Sequence, residues 1–333
     1  MVEHINPGLP HPGHPSSDQR VELSLIVPVK NEEAAIPHFL ERVLRCLGDL
    51  DDPAAQAFEI LFIDDGSSDT TLEKIRAAHR RDARIRGISL SRNFGKEAAL
   101  SAGLDDARGR SVVPLDVDLQ DPPELLGEML AKWREGFDVV YGVRDDRKSD
   151  SFPKRFSAGL FYRAHNWLSK DKIPEHAGDF RLLDRRVVDV IRQLPERNRF
   201  MKGLFAWAGF RQAAIAYRRE TRTAGQTKFN YWKLWTLAID GVTSTSTVPL
   251  RIWSYIGGLI ALGAIAYAIF IIVLTVVSGV DVPGYASLMV AILFLGGLQL
   301  LSLGVLGEYV GRLMAEAKSR PLYVVRERIG GED

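Results

Sequence analysis

Two stretches of the chain contain no charged residue, and they constrain the fold more than any other feature. They run over 256–277 and 286–307. Each is about 22 residues long, which at ~1.5 Å per residue makes a helix that spans the ~30 Å core of a bilayer. Helices of soluble proteins normally carry a polar face, and these stretches have none. The sequence therefore predicts a transmembrane hairpin over 252–310.

The basic residues around the hairpin predict its orientation. The connecting loop 278–285 has no Lys or Arg, whereas the outer flanks carry Arg251, Arg312, Lys318, Arg320, Arg326 and Arg328. The positive-inside rule then places both chain ends in the cytoplasm, as in a multi-pass protein of the inner (plasma) membrane. Residues 1–20 lack the apolar region of a signal peptide, so they are interpreted as a disordered tail. Residues 311–333 are interpreted as a basic cytoplasmic tail.

The region before the hairpin alternates between strand-like and helical patterns. The apolar runs are Leu23–Val29, Phe58–Ile63, Ile85–Leu90, Val112–Leu115 and Val139–Tyr141. The helical patterns are Ala34–Leu47, Thr70–Arg80, Lys96–Ala107 and Pro123–Trp133. Short apolar strands separated by helices are typical of a mostly parallel, Rossmann-like α/β sheet that is covered on both faces. This domain is assigned to 21–228.

Polar clusters follow several of these predicted strands, at the edge of the sheet where ligands bind in such folds. The clusters lie at 28–32, 64–69, 91–96 and 116–121. No Rossmann glycine motif, P-loop or H-E-x-x-H motif accompanies them. The charges nearly cancel, with 43 Lys and Arg against 42 Asp and Glu, which argues against a nucleic-acid partner. The single cysteine excludes an internal disulfide framework.

The carboxylates of Asp116 and Asp118 are the sharpest metal candidates. Residues i and i+2 of an extended segment point to the same side, so the pair could hold Mg²⁺ or Mn²⁺ against a diphosphate. The alternative is a solvated turn before a helix that starts near Asp121. Asp64 and Asp65 could likewise accept from a base or ribose, alongside a helix cap by Ser68 or Asp69.

Six basic residues are candidates for phosphate binding, although each alone is also typical of a solvated surface. They are Lys96, Arg144, Lys154, Arg155, Arg222 and Lys228. The segment from Arg222 to Lys228 has Gly225 at its centre and a cation at each end, so it could close over a phosphate.

The strings Ile26–Glu32, Ile63–Asp69 and Asp116–Glu124 together resemble glycosyltransferase family 2. With Arg222-x-x-Gly225-x-x-Lys228 and the C-terminal hairpin, the chain resembles the polyprenyl-phosphate glycosyltransferases, such as bactoprenol glucosyltransferases and dolichol-phosphate mannose synthases. The resemblance implies a GT-A fold and inverting transfer from a UDP-sugar, with glucose the commonest sugar, to polyprenyl (undecaprenyl) phosphate in cell-envelope synthesis. N-acetylglucosamine, galactose, mannose and aminoarabinose remain alternatives.

The resemblance also implies roles for individual residues. Pro28, Lys30, Glu32, Asp64 and Asp65 would line the base and ribose. Asp116, Asp118 and Gln120 would form the metal and diphosphate site, with Asp118 acting in catalysis. The string Ala177–Arg181 matches the segment that holds an acceptor-side aspartate, here Asp179, with a turn that caps a helix just before Leu183 as the alternative.

Aromatic residues precede the first predicted span. Phe229, Trp232 and Trp235 share one helical face, which predicts an amphipathic interfacial helix over 229–251, with an ordinary core helix as the alternative. Gly307 and Gly311 form a small-xxx-small pair, which favours close helix packing, either within the hairpin or in a homo-oligomer such as a tetramer. A processive polysaccharide synthase and a non-catalytic membrane scaffold are the competing functional interpretations.

Overall fold

The computed structural model describes residues 21–144, 177–196, 199, 201–217 and 284–331, together with scattered positions between 253 and 277. Its strands are β1 (Leu23–Val29), β2 (Phe58–Asp64), β3 (Ile85–Leu90), β4 (Ser111–Pro114), β5 (Val139–Arg144), β6 (Ala177–Asp184), β7 (Gln212–Tyr217) and β8 (Val325–Ile329). Its helices are α1 (Ala35–Asp49), α2 (Pro53–Gln56), α3 (Thr71–Arg81), α4 (Lys96–Asp106), a 3₁₀ turn (Pro123–Leu125), α5 (Leu126–Arg134), α6 (Arg185–Gln193), α7 (Met201–Trp207) and α8 (Tyr285–Ala317).

These strands form one sheet in the order β7-β5-β6-β4-β1-β2-β3-β8. The centre is parallel, because β1 pairs in parallel with β2 and β4, and β2 pairs in parallel with β3. Strand β6 runs antiparallel to β4 and β5, and β8 runs antiparallel to β3. The predicted α/β class and the parallel centre are confirmed.

Both faces of the sheet are buried under helices. Along β1, Leu25 and Val27 belong to the core beneath α1, α3 and α5, whereas Ile26 between them belongs to the core beneath α4, α6 and α7. Side chains of a strand alternate between faces, so a strand covered on both sides must be apolar at nearly every position. This explains why β1–β3 are readable as continuous apolar runs.

The C-terminal part of the chain holds an apolar helix. Within α8, the segment Phe294–Ala317 is long and apolar enough to cross a membrane, with a mean hydropathy of 1.3 and none of it buried. The helix has 33 residues, so at ~1.5 Å each it is longer than the ~30 Å bilayer core. The second predicted span, 286–307, is thus part of a longer helix that continues past Gly307.

The first predicted span is described only in part. Its described positions are helical, and its large apolar side chains there, such as Leu259 and Phe270, are exposed. The disordered tail over 1–20 and the interfacial helix over 229–251 lie outside the described residues. Gly307 and Gly311 have no described atom within 4 Å of an added Cβ, and the oligomeric state stays a prediction.

The segment assigned to a basic tail is not a separate element. Strand β8 adds to the edge of the sheet, with Glu327 opposite Ser89 and Arg328 opposite Ile88. Arg76 of α3 forms a bidentate ion pair with Glu327, with Nη2 2.7 Å from Oε2. Arg326 and Arg328, which were also predicted to mark the membrane orientation, therefore belong to the α/β domain.

Candidate active site

The loops that follow β1 and β2 are hydrogen-bonded to each other. Asn31 has a left-handed backbone, with a φ of 55°, and its N–H donates to Ser67 Oγ at 2.9 Å. Its side-chain oxygen accepts from the backbone N–H of Ser68 at 2.9 Å. Glu33 accepts from the backbone N–H of Thr70 at 3.0 Å. The first two sequence clusters thus form one surface at the carboxyl end of the sheet.

Asp64, at the end of β2, is fully buried, and its carboxylate holds the loop after β2 by hydrogen bonds. One oxygen accepts from the backbone N–H of Ser67 at 2.9 Å, and the other accepts from Ser89 Oγ at 2.8 Å. Arg326 of β8 donates to the same Ser89 hydroxyl at 3.0 Å. A guanidinium can only donate, so the hydroxyl hydrogen of Ser89 must point to Asp64. Strand β8 therefore fixes the carboxylate that shapes the loop.

Asp65 links the second cluster to the third. Its carboxylate accepts from the backbone N–H groups of Phe94 at 2.7 Å and Gly95 at 2.9 Å. Lys96, the first residue of α4, then places its ammonium 2.8 Å from Asp116 Oδ1. A continuous series of contacts therefore runs from the end of β2 to the acidic cluster after β4.

Asp116 and Asp118 follow β4, and that both carboxylates face one side stays a prediction. Both are partly exposed, whereas Val117 between them is buried. The segment is a turn after β4 rather than an extended strand, and Leu119 within it has a φ of 53°. Asp118 Oδ1 accepts from the backbone N–H of Gln120 at 3.2 Å. The turn directs the two carboxylates outward.

The donor set fits a hard cation that is held together with a diphosphate. Carboxylate and amide oxygens suit Mg²⁺ and Mn²⁺, and Mg²⁺ is often bound by one or two carboxylates plus substrate phosphates. Over the described ranges, no three His, Cys, Asp or Glu side chains converge on a metal-sized position. The protein therefore offers two carboxylates here, one of which Lys96 partly neutralises.

The remaining candidates fall into three groups. Pro28, Lys30 and Glu32 lie at the end of β1, next to the loop after β2. Arg144 ends β5 and Asp179 lies within β6 rather than in a turn, but their side chains are not described. Four basic candidates lie outside the described residues: Lys154, Arg155, Arg222 and Lys228.

Two interactions of buried polar side chains were not predicted. Arg181 of β6 is 5% exposed, stacks 4.3 Å from the centre of the Phe205 ring, and has a buried Nε with no hydrogen-bond partner among the described residues. Tyr217 donates a hydrogen bond to the buried carboxylate of Asp121. Arg181 belongs to the string that drew attention to Asp179, whereas nothing in the sequence indicated Tyr217.

The Rossmann-like sheet and the carboxylates at the ends of β2 and β4 define a glycosyltransferase domain of the GT-A type. The chain belongs to glycosyltransferase family 2, whose model, "Glycosyl transferase family 2", matches residues 24–192. A second model, "GtrB C-terminal hairpin", matches residues 248–313. The family assignment made from the motifs is confirmed, and the protein is a glycosyltransferase.

Curated relatives match over nearly their whole length. An uncharacterized glycosyltransferase of Synechocystis sp. is 53% identical, over 94% of this chain and 97% of that one. A prophage bactoprenol glucosyl transferase homolog of Escherichia coli is 48% identical, over 92% and 99%. The bactoprenol glucosyl transferase of Shigella phage SfX is also 48% identical, over 92% and 100%.

Proposed function

We propose that this enzyme transfers glucose from UDP-glucose to the phosphate of a polyprenyl phosphate, with inversion, at the cytoplasmic face of the membrane. The observation that carries the proposal is the short connection between α8 and β8. Only the seven residues 318–324 separate the end of the apolar helix from β8. Arg326 of β8 donates to the Ser89 hydroxyl, which in turn donates to Asp64. Because a polyprenyl chain stays in the bilayer, an enzyme acting on it needs its site tied to a membrane helix. The names of the relatives support glucose and bactoprenol.

Asp116, Asp118 and Gln120 would hold Mg²⁺ or Mn²⁺ in this reaction. When bound, the cation supplies positive charge to the diphosphate that departs with the nucleotide. Lys96 contacts Asp116 and begins α4, so both its ammonium and the helix N-terminus favour anions at this position. Asp65 supports that arrangement, since it holds the backbone of the residues just before Lys96.

The acceptor phosphate needs little help in losing a proton. The second pKa of a phosphate monoester is ~6, so the group is mostly a dianion at neutral pH. We assign to Asp179 the orientation of the acceptor or the removal of its residual proton. The larger barrier is the repulsion between two anions, which positioned cations lower. The candidates are Lys96, Arg144, Lys154, Arg155, Arg222 and Lys228.

The test uses the full-length protein in detergent with undecaprenyl phosphate and radiolabelled UDP-glucose. We expect the label to enter an organic-extractable lipid, ³¹P NMR to show a phosphodiester in place of the monoester, and ¹H NMR to show a β-linked glucose. Parallel reactions with the UDP-linked forms of N-acetylglucosamine, galactose and aminoarabinose, and with GDP-mannose, measure sugar specificity.

Other outcomes would identify a different function. Faster transfer from one of the other donors would replace glucose and keep the reaction. A water-soluble polymer would indicate a processive synthase, although the sequence lacks the Gln-x-x-Arg-Trp string of processive relatives. The absence of product from every donor would favour a membrane scaffold.

Substitution of Gly66 by alanine is expected to weaken nucleotide binding. Gly66 has a φ of +66°, and an added Cβ would lie 2.6 Å from the backbone carbon of Arg92. Left-handed strain costs ~1–3 kcal/mol, so we expect a loss of roughly tenfold or more in UDP affinity by calorimetry. Gly48→Ala is the control, because no atom lies within 4 Å of its added Cβ. Equal UDP affinity in both variants would contradict this loop's role.

A further inference from the structure

A cavity of about 540 Å³ lies between the catalytic domain and the C-terminal end of α8. Its walls come from the start of α4 with Phe94, from Arg199, and from the end of α8 with the segment leading to β8. Its size is within the ~300–1,000 Å³ range of small-molecule sites. Among the described lining residues there is none of Asp64, Asp65, Asp116 and Asp118, so the cavity is distinct from the acidic cluster.

The lining carries a surplus of positive charge. Its described residues include Arg199, Lys318 and Arg320 against one carboxylate, Glu97, which accepts a hydrogen bond from the backbone N–H of Met201 at 3.3 Å. Such a surplus favours an anion, and the planar guanidinium of arginine suits phosphate in particular.

Arg199 provides a second, independent indication of a ligand. Its Nη2 donates to the backbone oxygen of Leu194 at 3.0 Å, and its Nε donates to that of Glu196 at 3.4 Å. Its Nη1 is buried and has no hydrogen-bond partner among the described residues. Buried N–H groups almost always have a partner, so an acceptor from a ligand would complete this side chain.

The position of the cavity along α8 points to the bilayer as the source of that ligand. Gly311, Met314 and Lys318 line it from one face of the helix. Lys318 directly follows the apolar segment Phe294–Ala317, whereas Gly311 and Met314 lie in its last two turns. The headgroup region extends about 5–8 Å beyond each side of the hydrocarbon core, so the basic end of the cavity, at Lys318 and Arg320, lies at the boundary where phospholipid phosphates are found.

We propose that this cavity binds the phosphate headgroup of an anionic phospholipid, which is retained and does not react. Arg199 and Lys318 hold the phosphate, and Phe94 and Met314 contact the glycerol and the first methylenes. The phospholipid is preferred to the acceptor lipid because the loop before α4 lies between the cavity and the acidic cluster. Phe94 lines the cavity, while its backbone N–H donates to Asp65, and Lys96 two residues later contacts Asp116.

The bound lipid has a consequence for catalysis. It stabilises the loop that ends at Lys96, and Lys96 contacts Asp116. We therefore expect anionic phospholipid to raise the rate of transfer at saturating acceptor. This inference rests on the membrane placement in the proposed function, but lipid binding is measured without turnover, so the two can fail separately.

The test compares the wild type with an Arg199→Gln, Lys318→Gln double variant and with Lys318→Gln alone, in case the double variant folds poorly. Arg80→Gln with Arg81→Gln is the control, because these two arginines are exposed on α3. Each full-length protein is delipidated, titrated with phosphatidylglycerol and measured by native mass spectrometry. Loss of a charge-assisted contact should weaken binding about tenfold in Lys318→Gln and further in the double variant, with no change in the control.

Transfer is then measured in phosphatidylcholine nanodiscs with and without phosphatidylglycerol. We expect stimulation of the wild type and the control only, and equal rates for all variants in phosphatidylcholine alone. Equal phosphatidylglycerol binding by the wild type and both cavity variants would overturn the proposal. Displacement of the bound phospholipid by undecaprenyl phosphate would assign the cavity to the acceptor. Binding of glycerol phosphate as tight as that of phosphatidylglycerol would show that the cavity recognises a free phosphate rather than a lipid.

Discussion

Replacing Asp118 with asparagine is expected to abolish transfer while leaving the fold intact. Asp118 is partly exposed, and the backbone N–H of Gln120 donates to its carboxylate, a contact that the amide oxygen of asparagine can keep. The substitution keeps the shape of the turn but removes one of the two negative charges available to a cation. Loss of one electrostatic contribution at a transition state typically costs ~10²–10³-fold in rate, and we expect at least that loss in the radiolabel assay.

The control for this prediction is Asp51→Asn, which removes the same charge at an exposed position before α2. Thermal unfolding of both variants should match the wild type. A Mn²⁺ titration of activity should shift to higher concentration, or vanish, in the Asp118 variant only. Full turnover by Asp118→Asn, or by the wild type in excess EDTA, would refute the assignment of a metal to this pair.

The central strands were predictable because burial on both faces leaves a clear pattern. The bounds of β1 and β3 coincide with the predicted runs, and β2 extends the predicted one by a single residue, Asp64. Asp64 was expected in the loop after the strand, but it is the last residue of β2. The predicted helix beginning at Pro123 is also present, as a 3₁₀ turn followed by α5.

Strand β8 was not predictable from the same signal. Its sequence has three consecutive charged residues between Val325 and Ile329, and Arg326 and Arg328 are exposed while Ile329 is buried. Charged side chains are typical of edge strands, where they discourage pairing with other chains. Basic residues near an apolar helix are also typical of the cytoplasmic flank of a membrane span. Only the pairing with β3 distinguishes the two interpretations.

The positions of the site carboxylates could be predicted, but their partners could not. Strand ends of a parallel sheet meet at one edge, so Asp65 and Asp116 were expected to be close. That Asp65 holds the loop before α4, and that Lys96 reaches Asp116, depends on how the loops pack. Asp64 was expected to contact the nucleotide, whereas both of its oxygens bond within the protein, so its ligand contact stays a prediction.

A cluster of three charged residues, Arg86, Glu59 and Asp106, stabilises the domain next to β8. Arg86 of β3 is 5% exposed and places Nη1 2.8 Å from Glu59 and Nη2 2.6 Å from Asp106. Its Nε donates to the backbone oxygen of Gly330 at 3.2 Å, just after β8. Glu59 also accepts from the backbone N–H of Arg108 at 2.7 Å. One guanidinium thus pairs with two carboxylates and holds the end of the C-terminal strand.

Arg86→Met is therefore expected to destabilise the catalytic domain severely. The substitution leaves Glu59 buried without its cation, and breaking a buried ion pair typically costs ~3–5 kcal/mol. Denaturant unfolding followed by tryptophan fluorescence measures the loss, with Arg84→Met as the control, since Arg84 is half exposed and its ion pair with Asp82 is worth ~0–1 kcal/mol. Adding Glu59→Gln to Arg86→Met should restore part of the stability, because the amide keeps an acceptor for Arg108 and removes the buried charge. If the double variant is no more stable than Arg86→Met, the cost arises from lost packing and the release of β8 rather than from the unpaired carboxylate.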